Sequence, residues 1–276
     1  MNSEQDIRRP AVAGYFYPSN PKDLRNLVRA YLEEVRATPQ TAVAAIVPHA
    51  GLIYSGQCAA HVFQRIAIPD DVILLGPNHH GAVGGRALGG MWSRGAFETP
   101  VGRVAVAEDL AEAISTRCEL VAHDPLAHAR EHSLEVELPL LLARNPEARI
   151  VPILLAWDEW SACRELATAL AAAVREWPGD VLLVASSDMT HYESADHAAA
   201  KDEKALAHVA SLDGEGLLRT CKAERITMCG RAPAATVLEA ARQLGARSAD
   251  VVDYRHSGWV TGDDSQVVAY AGVVVT

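Results

Sequence analysis

Eleven histidines stand in a chain whose aromatic content is only 5%, and several of them fall beside Gly, Pro and Asp rather than inside periodic apolar runs. His49 follows the apolar run Ala42 to Val47, the pair His79 and His80 follows Val72 to Leu75, and Asp188 and His191 follow Val181 to Ala185. In an open parallel α/β sheet, ligands bind beyond the carboxyl ends of the strands, so polar residues placed just after buried strands are the ones able to converge. One loop histidine is ordinarily a hydrogen-bonded loop residue; imidazole at three strand ends points to a site.

Two further motifs join this set. EHSLEVELP brings Glu131, His132 and Glu135; His132 and Glu135 are three residues apart and would share one face of a helix, although a helix start capped by Ser133, with acids favoured by the dipole, accounts for the same letters. In MCGRAP, Cys229 precedes a helix beginning near Arg231, where the helix end favours thiolate, so it reads as a metal ligand or a nucleophile. Tyr54, just past the His49 loop, is within reach of the same pocket, and ordinary packing would explain it equally well.

Imidazole plus thiolate suits Zn, Fe or Cu and does not suit Mg or Ca. Three protein ligands leave positions open for water, dioxygen or substrate. The chain contains neither CxxC nor HExxH, which excludes zinc-finger and zincin spacings, and the glycine-rich stretch from Gly81 to Gly90 lacks nucleotide-binding order.

These residues need elements to position them. Leu24, Leu27, Val28, Tyr31, Leu32 and Val35 follow helical periodicity after a cap at Ser19 or Asn20. Further helices are expected over 57–66, 108–117, 133–143, 159–176, 198–210 and 232–244. Strands are expected at 42–47, 72–75, near Val104, and at 150–155, 181–185, 250–254 and 266–274. This alternation predicts a three-layer α/β/α domain with a mostly parallel central sheet, and no linker divides residues 1–276.

Composition narrows the function. Apolar residues make up 49% and charged residues 22%, the balance of a folded globular chain. A net charge of −10 argues against nucleic acid and anionic membranes as partners. No apolar run reaches the 18 or so residues of a membrane span, and the opening MNSEQDIRRP has no apolar core of a signal peptide; a cytoplasmic protein is expected. Cys58, Cys118, Cys163 and Cys221 are scattered in helix-like segments and read as reduced core or surface thiols. His61 reads as a boundary residue, and His123 and His128 as exposed loop residues.

AGYFYP, VPHAGLIYSG, GPNHHG, EHSLEVELP, SSDMTHY and MCGRAP, in this order from Ala13 to Pro233, together resemble the Memo family, also called AmmeMemoRadiSam system protein B. The resemblance implies a single domain similar to the class III extradiol dioxygenases, which hold non-haem Fe(II) on two His and a carboxylate. Carried over, the metal ligands would be His49, His80 and Cys229, with His191 as acid/base, Asp188 beside it, and His79, His132 and Glu135 lining the pocket. Cys229 would replace the dioxygenase carboxylate, which shifts redox potential and metal preference among iron, copper and zinc and puts ring cleavage in doubt. Functional links to radical-SAM and AMMECR1-like proteins are implied as well.

Three function classes follow. The first is a redox or oxygenase-type enzyme with Fe(II), or Cu or Zn, acting on a small-molecule substrate, with His191 oriented by Asp188 moving a proton. The second is a metal-independent enzyme with Cys229 as nucleophile. The third is a non-catalytic protein that binds metal or a peptide.

Overall fold

The computed structural model describes residues 6–81 and 89–276. Most of the glycine-rich stretch, residues 82–88, lies outside the described residues. The elements run β1 (Ile7–Arg8), α1 (Pro21–Glu34), β2 (Ala44–Val47), α2 (Leu52–Phe63), β3 (Asp71–Pro77), β4 (Gly89–Met91), β5 (Ala96–Thr99) and β6 (Gly102–Val106). Then come α3 (Glu108–Ser115), β7 (Val121–His123), α4 (Pro125–His128), a 3₁₀ turn (Glu135–Glu137), α5 (Leu138–Arg144), β8 (Arg149–Leu155), α6 (Trp160–Glu176) and β9 (Val181–Ser186). The rest are β10 (His191–Glu193), α7 (Ala195–Ala210), α8 (Gly214–Ala223), α9 (Arg231–Leu244), β11 (Ala249–His256), α10 (Gly258–Thr261) and β12 (Val267–Val275).

One sheet organises them, in the order β1-β5-β6-β8-β3-β9-β2-β12-β10. The five central strands, β6 to β2 in that order, are all parallel, while β12 joins β2 antiparallel and pairs on to β10 and β11. Parallel strands covered on both faces are apolar throughout, and β3, β8 and β9 are almost wholly buried. Alternation still assigns faces. Val72 and Leu74 of β3 pack with Leu24 and Val28 of α1, Leu52 and Phe63 of α2, and Leu138 and Leu141 of α5. Ile73 and Leu75 face the opposite layer, with Leu110 of α3, Leu166 of α6, Val209 of α7, Leu217 of α8 and Val237 of α9. The expected three-layer α/β/α architecture with a mostly parallel sheet is what forms.

Local chemistry sets the boundaries. Asn20 caps α1, its side chain accepting from the amides of Lys22 and Asp23. The helix expected from Ser133 to Ala143 starts later: a 3₁₀ turn precedes α5, and Pro139, which has no N–H to donate, sits in the first turn of α5. Ser133 is no cap; its hydroxyl is buried and donates to the Pro77 carbonyl. The short strands β1, β4, β5, β7 and β10 had too little periodicity to be read from the sequence, and α8, though amphipathic, was not singled out there.

The chain before α1 is stitched to the segment ahead of α5. Arg8 is buried and bonds the carbonyls of His128 and Glu131 and the carboxylate of Glu135. Glu135 also accepts from the amides of Ala11 (2.7 Å) and Val12 (3.0 Å) and from the Tyr17 hydroxyl. Its carboxylate is thus spent inside the protein, which corrects the expectation that Glu135 lines a pocket. His128 is likewise buried rather than exposed: Asp124 caps the short α4, and the His128 Nε2–H donates to the Gly90 carbonyl at 3.0 Å.

Arg8→Ala leaves Glu135 buried without its cation and is expected to lower unfolding free energy by about 3–5 kcal/mol in denaturant titration. Burial holds His128 neutral in the folded state, lowering it to about 3, whereas in the unfolded chain it titrates near ~6.5. Only the unfolded state takes up this proton between those values, so the contribution is full above the unfolded value and is lost as pH falls from there toward 3. Stability curves of His128→Gln are expected to fall less steeply than wild type across that window, by about 5 kcal/mol in total.

Candidate metal centre

The loops after β2, β3 and β9 and the start of α9 meet at one end of the sheet. His49 is buried, and its Nε2 lies 3.3 Å from Cys229 Sγ. His79 completes a group in which the donor atoms of His49, His79 and Cys229 all lie within 4.8 Å of one another, a set able to hold a metal ion. His132 stacks on His79 with ring centroids 4.7 Å apart and meets His49 edge-on at 5.5 Å.

The loop after β3 decides which histidine of the pair faces inward. Asn78 Oδ1 accepts from the His80 amide (3.0 Å), and its Nδ2 donates to the Gly81 carbonyl (2.9 Å), so the side chain of Asn78 folds the loop back on itself. His79 then points to the centre, while His80 turns outward and donates from Nε2 to the Arg130 carbonyl at 3.0 Å. The structure therefore brings His79, not the expected His80, to His49 and Cys229.

Glu131 fixes His79 in place. Its Oε2 accepts from the His79 amide (2.6 Å), and its Oε1 accepts from the amides of His132 (2.8 Å) and Ser133 (2.9 Å). Those three are obligate donors, so Glu131 acts as acceptor and His79 Nδ1 donates to Oε1 at 2.9 Å, leaving Nε2 free to ligate. Burial alone would raise the Glu131 carboxyl, but the His79 hydrogen bond and charge and the amides outweigh it and hold the group well below the usual range. The reciprocal effect raises His79 despite its desolvation. His79, Glu131 and His132 form a second group of metal-ligand type; with Glu131 committed to four N–H donors, we read it as support for the first.

Asp188 holds the loop after β2: its Oδ1 accepts from the amides of His49 (2.8 Å) and Ala50 (3.2 Å). Among the described residues no hydrogen bond joins it to His191, so the expected orienting role is not what its oxygens do. Burial raises its carboxyl to about 7 against the pull of those amides. His191 is anchored by its own amide on Thr227 Oγ1 (2.7 Å), and its buried Nδ1 has no partner among the described residues.

Burial, and after it the neighbouring imidazoles, lower His49 far below its ordinary value; burial lowers His132 to about 4 and also lowers His191. Burial first, then the Asp188 charge, pushes the Cys229 thiol far up, against hydrogen bonds from Asp188 N, Ser187 and Gly230 N. The helix end thus does not make Cys229 a free thiolate; a cation would have to displace its proton.

A cavity of about 770 Å³ opens over these groups, lined also by Phe16, Tyr54, Thr227 and Tyr270. The expected Tyr54 is there. Phe16, whose ring lies 4.6 Å from His132, and Thr227 were not singled out from the sequence; Phe16 sits within AGYFYP, the one signal that pointed toward it. Cys58, Cys118, Cys163 and Cys221 are buried and unpaired, as core thiols. Among the described residues no helix is long and apolar enough to cross a membrane.

The fold and this cluster define an α/β protein with two histidines and a thiol gathered at one end of its sheet, a group that could hold a metal ion. A profile described as Memo-like protein matches residues 8–274, and the chain belongs to the Memo family. It is 41% identical to a MEMO1 family protein of Aquifex aeolicus (97% of this chain, 98% of the relative) and 37% identical to one of Methanopyrus kandleri (97% and 98%). A crystal structure of an uncharacterized Escherichia coli K12 protein superposes with a TM-score of 0.51 at 16% identity, covering 84% of this chain and 99% of that one, which is a likeness of fold.

Glu131→Ala removes the acceptor for three amides and an imidazole, and chemical denaturation is expected to show a loss of about 3 kcal/mol or more.

Proposed function

We propose that the protein is a metal-dependent redox or oxygenase-type enzyme that holds non-haem Fe(II) on His49, His79 and Cys229 and acts on a small-molecule substrate. The observation that carries this reading is the approach of His49 Nε2 to Cys229 Sγ at 3.3 Å, with His79 inside the same 4.8 Å cluster. The donor chemistry fits: two imidazoles and one thiol suit iron, copper or zinc and leave positions open. Fe(II) would supply a one-electron donor and a place for dioxygen or substrate to bind.

The chain's own groups have separable tasks. Glu131 orients His79 through Nδ1, and Asp188 fixes the backbone that carries His49. His191, which lines the cavity, takes or gives a proton at the substrate. Phe16 and Tyr270 give the cavity apolar walls that limit water. The reading with Cys229 as a metal-independent nucleophile is less favoured, because burial and Asp188 hold its thiol protonated.

Elemental analysis of untagged protein purified without oxygen tests the proposal. Near-stoichiometric iron is expected in the wild type and in His80→Ala, and loss of it in Cys229→Ser and His79→Ala with the fold retained. Wild-type protein that carries no metal and takes up none of Fe(II), Cu or Zn would overturn it. Loss in His80→Ala with retention in His79→Ala would return the ligand role to His80.

A further inference from the structure

Behind His49, on the side away from Cys229, lies a buried group that the proposed chemistry does not use. Glu137, in the 3₁₀ turn before α5, is 1% exposed, and its Oε2 has no hydrogen-bond partner among the described residues. Its Oε1 lies 2.9 Å from Ser186 Oγ at the end of β9. The same hydroxyl lies 2.6 Å from the Ser133 carbonyl and 2.8 Å from His49 Nδ1.

Proton counting resolves this junction. A serine hydroxyl has one hydrogen to donate and two lone pairs to accept with. The Ser133 carbonyl can only accept, and it is the nearest of the three neighbours, so the Ser186 hydrogen points to it. The other two neighbours must then bring their own hydrogens. His49 donates from Nδ1, and Glu137 donates a carboxylic O–H.

An ionised Glu137 would place two acceptor oxygens against one another at 2.9 Å and leave a second charged oxygen buried without a partner. Burial drives the Glu137 carboxyl far above its ordinary value, in the same direction.

We propose that Glu137 is a neutral carboxylic acid in the folded protein and is the positioning residue that, through Ser186, locks His49 as the Nδ1–H tautomer with Nε2 bare toward Cys229. Its meaning as support for a ligand rests on the metal-site reading above; the protonation pattern itself is a property of the metal-free protein. The two histidines are thereby backed differently: His79 by the carboxylate of Glu131, and His49 by a hydroxyl whose own partner carries no charge.

The test uses metal-free full-length protein. Infrared difference spectra, wild type minus Glu137→Gln at pH 9 where Asp188 is ionised, are expected to show the C=O stretch of a neutral carboxylic acid. Nitrogen-15 NMR, with the His49 signal assigned by its loss in His49→Asn, is expected to show the Nδ1–H tautomer. Glu137→Gln, whose amide N–H replaces the lost O–H, should keep that tautomer, whereas Ser186→Ala should mix tautomers. Iron titration should then show Ser186→Ala binding about 10–100-fold more weakly and Glu137→Gln close to wild type.

A carboxylate band in place of the neutral one, or His49 protonated at Nε2 in the wild type, would overturn the proposal. If Glu137→Gln fails to fold, glutamate-selective carbon-13 labelling of the wild type reads the same band. Neutral Glu137 with Nδ1–H His49 in a protein that takes up no metal would uphold this inference and sink the metal reading, so the two failures are distinguishable.

Discussion

The carboxylate of Glu131 is the interaction on which the site depends. Three obligate backbone donors and one imidazole converge on its two oxygens, and they come from two separate loops, one after β3 and one before α5. A buried carboxylate is tolerated only when its lone pairs are filled, and here the filling groups are the residues that shape the centre. The protein solves a desolvation problem and a positioning problem with the same four hydrogen bonds. Arg8 extends the arrangement, bonding the Glu131 carbonyl while neutralising Glu135 a turn further on. EHSLEVELP therefore carries three buried acids with three distinct partners: amides for Glu131, a guanidinium for Glu135 and a serine hydroxyl for Glu137.

Around the centre, low dielectric acts on each group according to its sign. His49 and His132 are pushed toward neutrality and the thiol toward its protonated form, while the Glu131 carboxylate raises His79. A cation entering such a place would meet a bare nitrogen on His49 and a proton to displace from the Cys229 sulfur. Imidazole nitrogen and sulfur so gathered are of the kind that suits a soft or borderline cation.

Much of this was legible in the sequence and some was not, for physical reasons. Buried parallel strands write themselves as apolar runs, so the strands ahead of His49, His79 and Asp188 were readable, and with them the end of the sheet where a site should lie. Cys229 was readable from its place before α9. The choice between His79 and His80 was not, because adjacent side chains are distinguished only by the turn that Asn78 closes. Glu135 looked like a neighbour of His132 on one helical face; Pro139 delayed that helix, and the acid turned to Arg8 instead. His128 was read as exposed because its burial depends on a contact with Gly90, a residue far away in sequence. Pairings of this kind leave no periodic trace.

The order of strands in the sheet also sets a timetable. His49 rides on β2, and one neighbour of β2 is β12, more than two hundred residues further along the chain. His49 and Cys229 are themselves 180 residues apart. Contacts of such separation close late, after the shorter loops have formed. During synthesis the His79 and His132 loops emerge well before Cys229, so for much of its time on the ribosome a nascent chain holds these imidazoles without the thiol they meet in the fold. A ligand needing all three groups would therefore find them together only once the sheet is nearly complete.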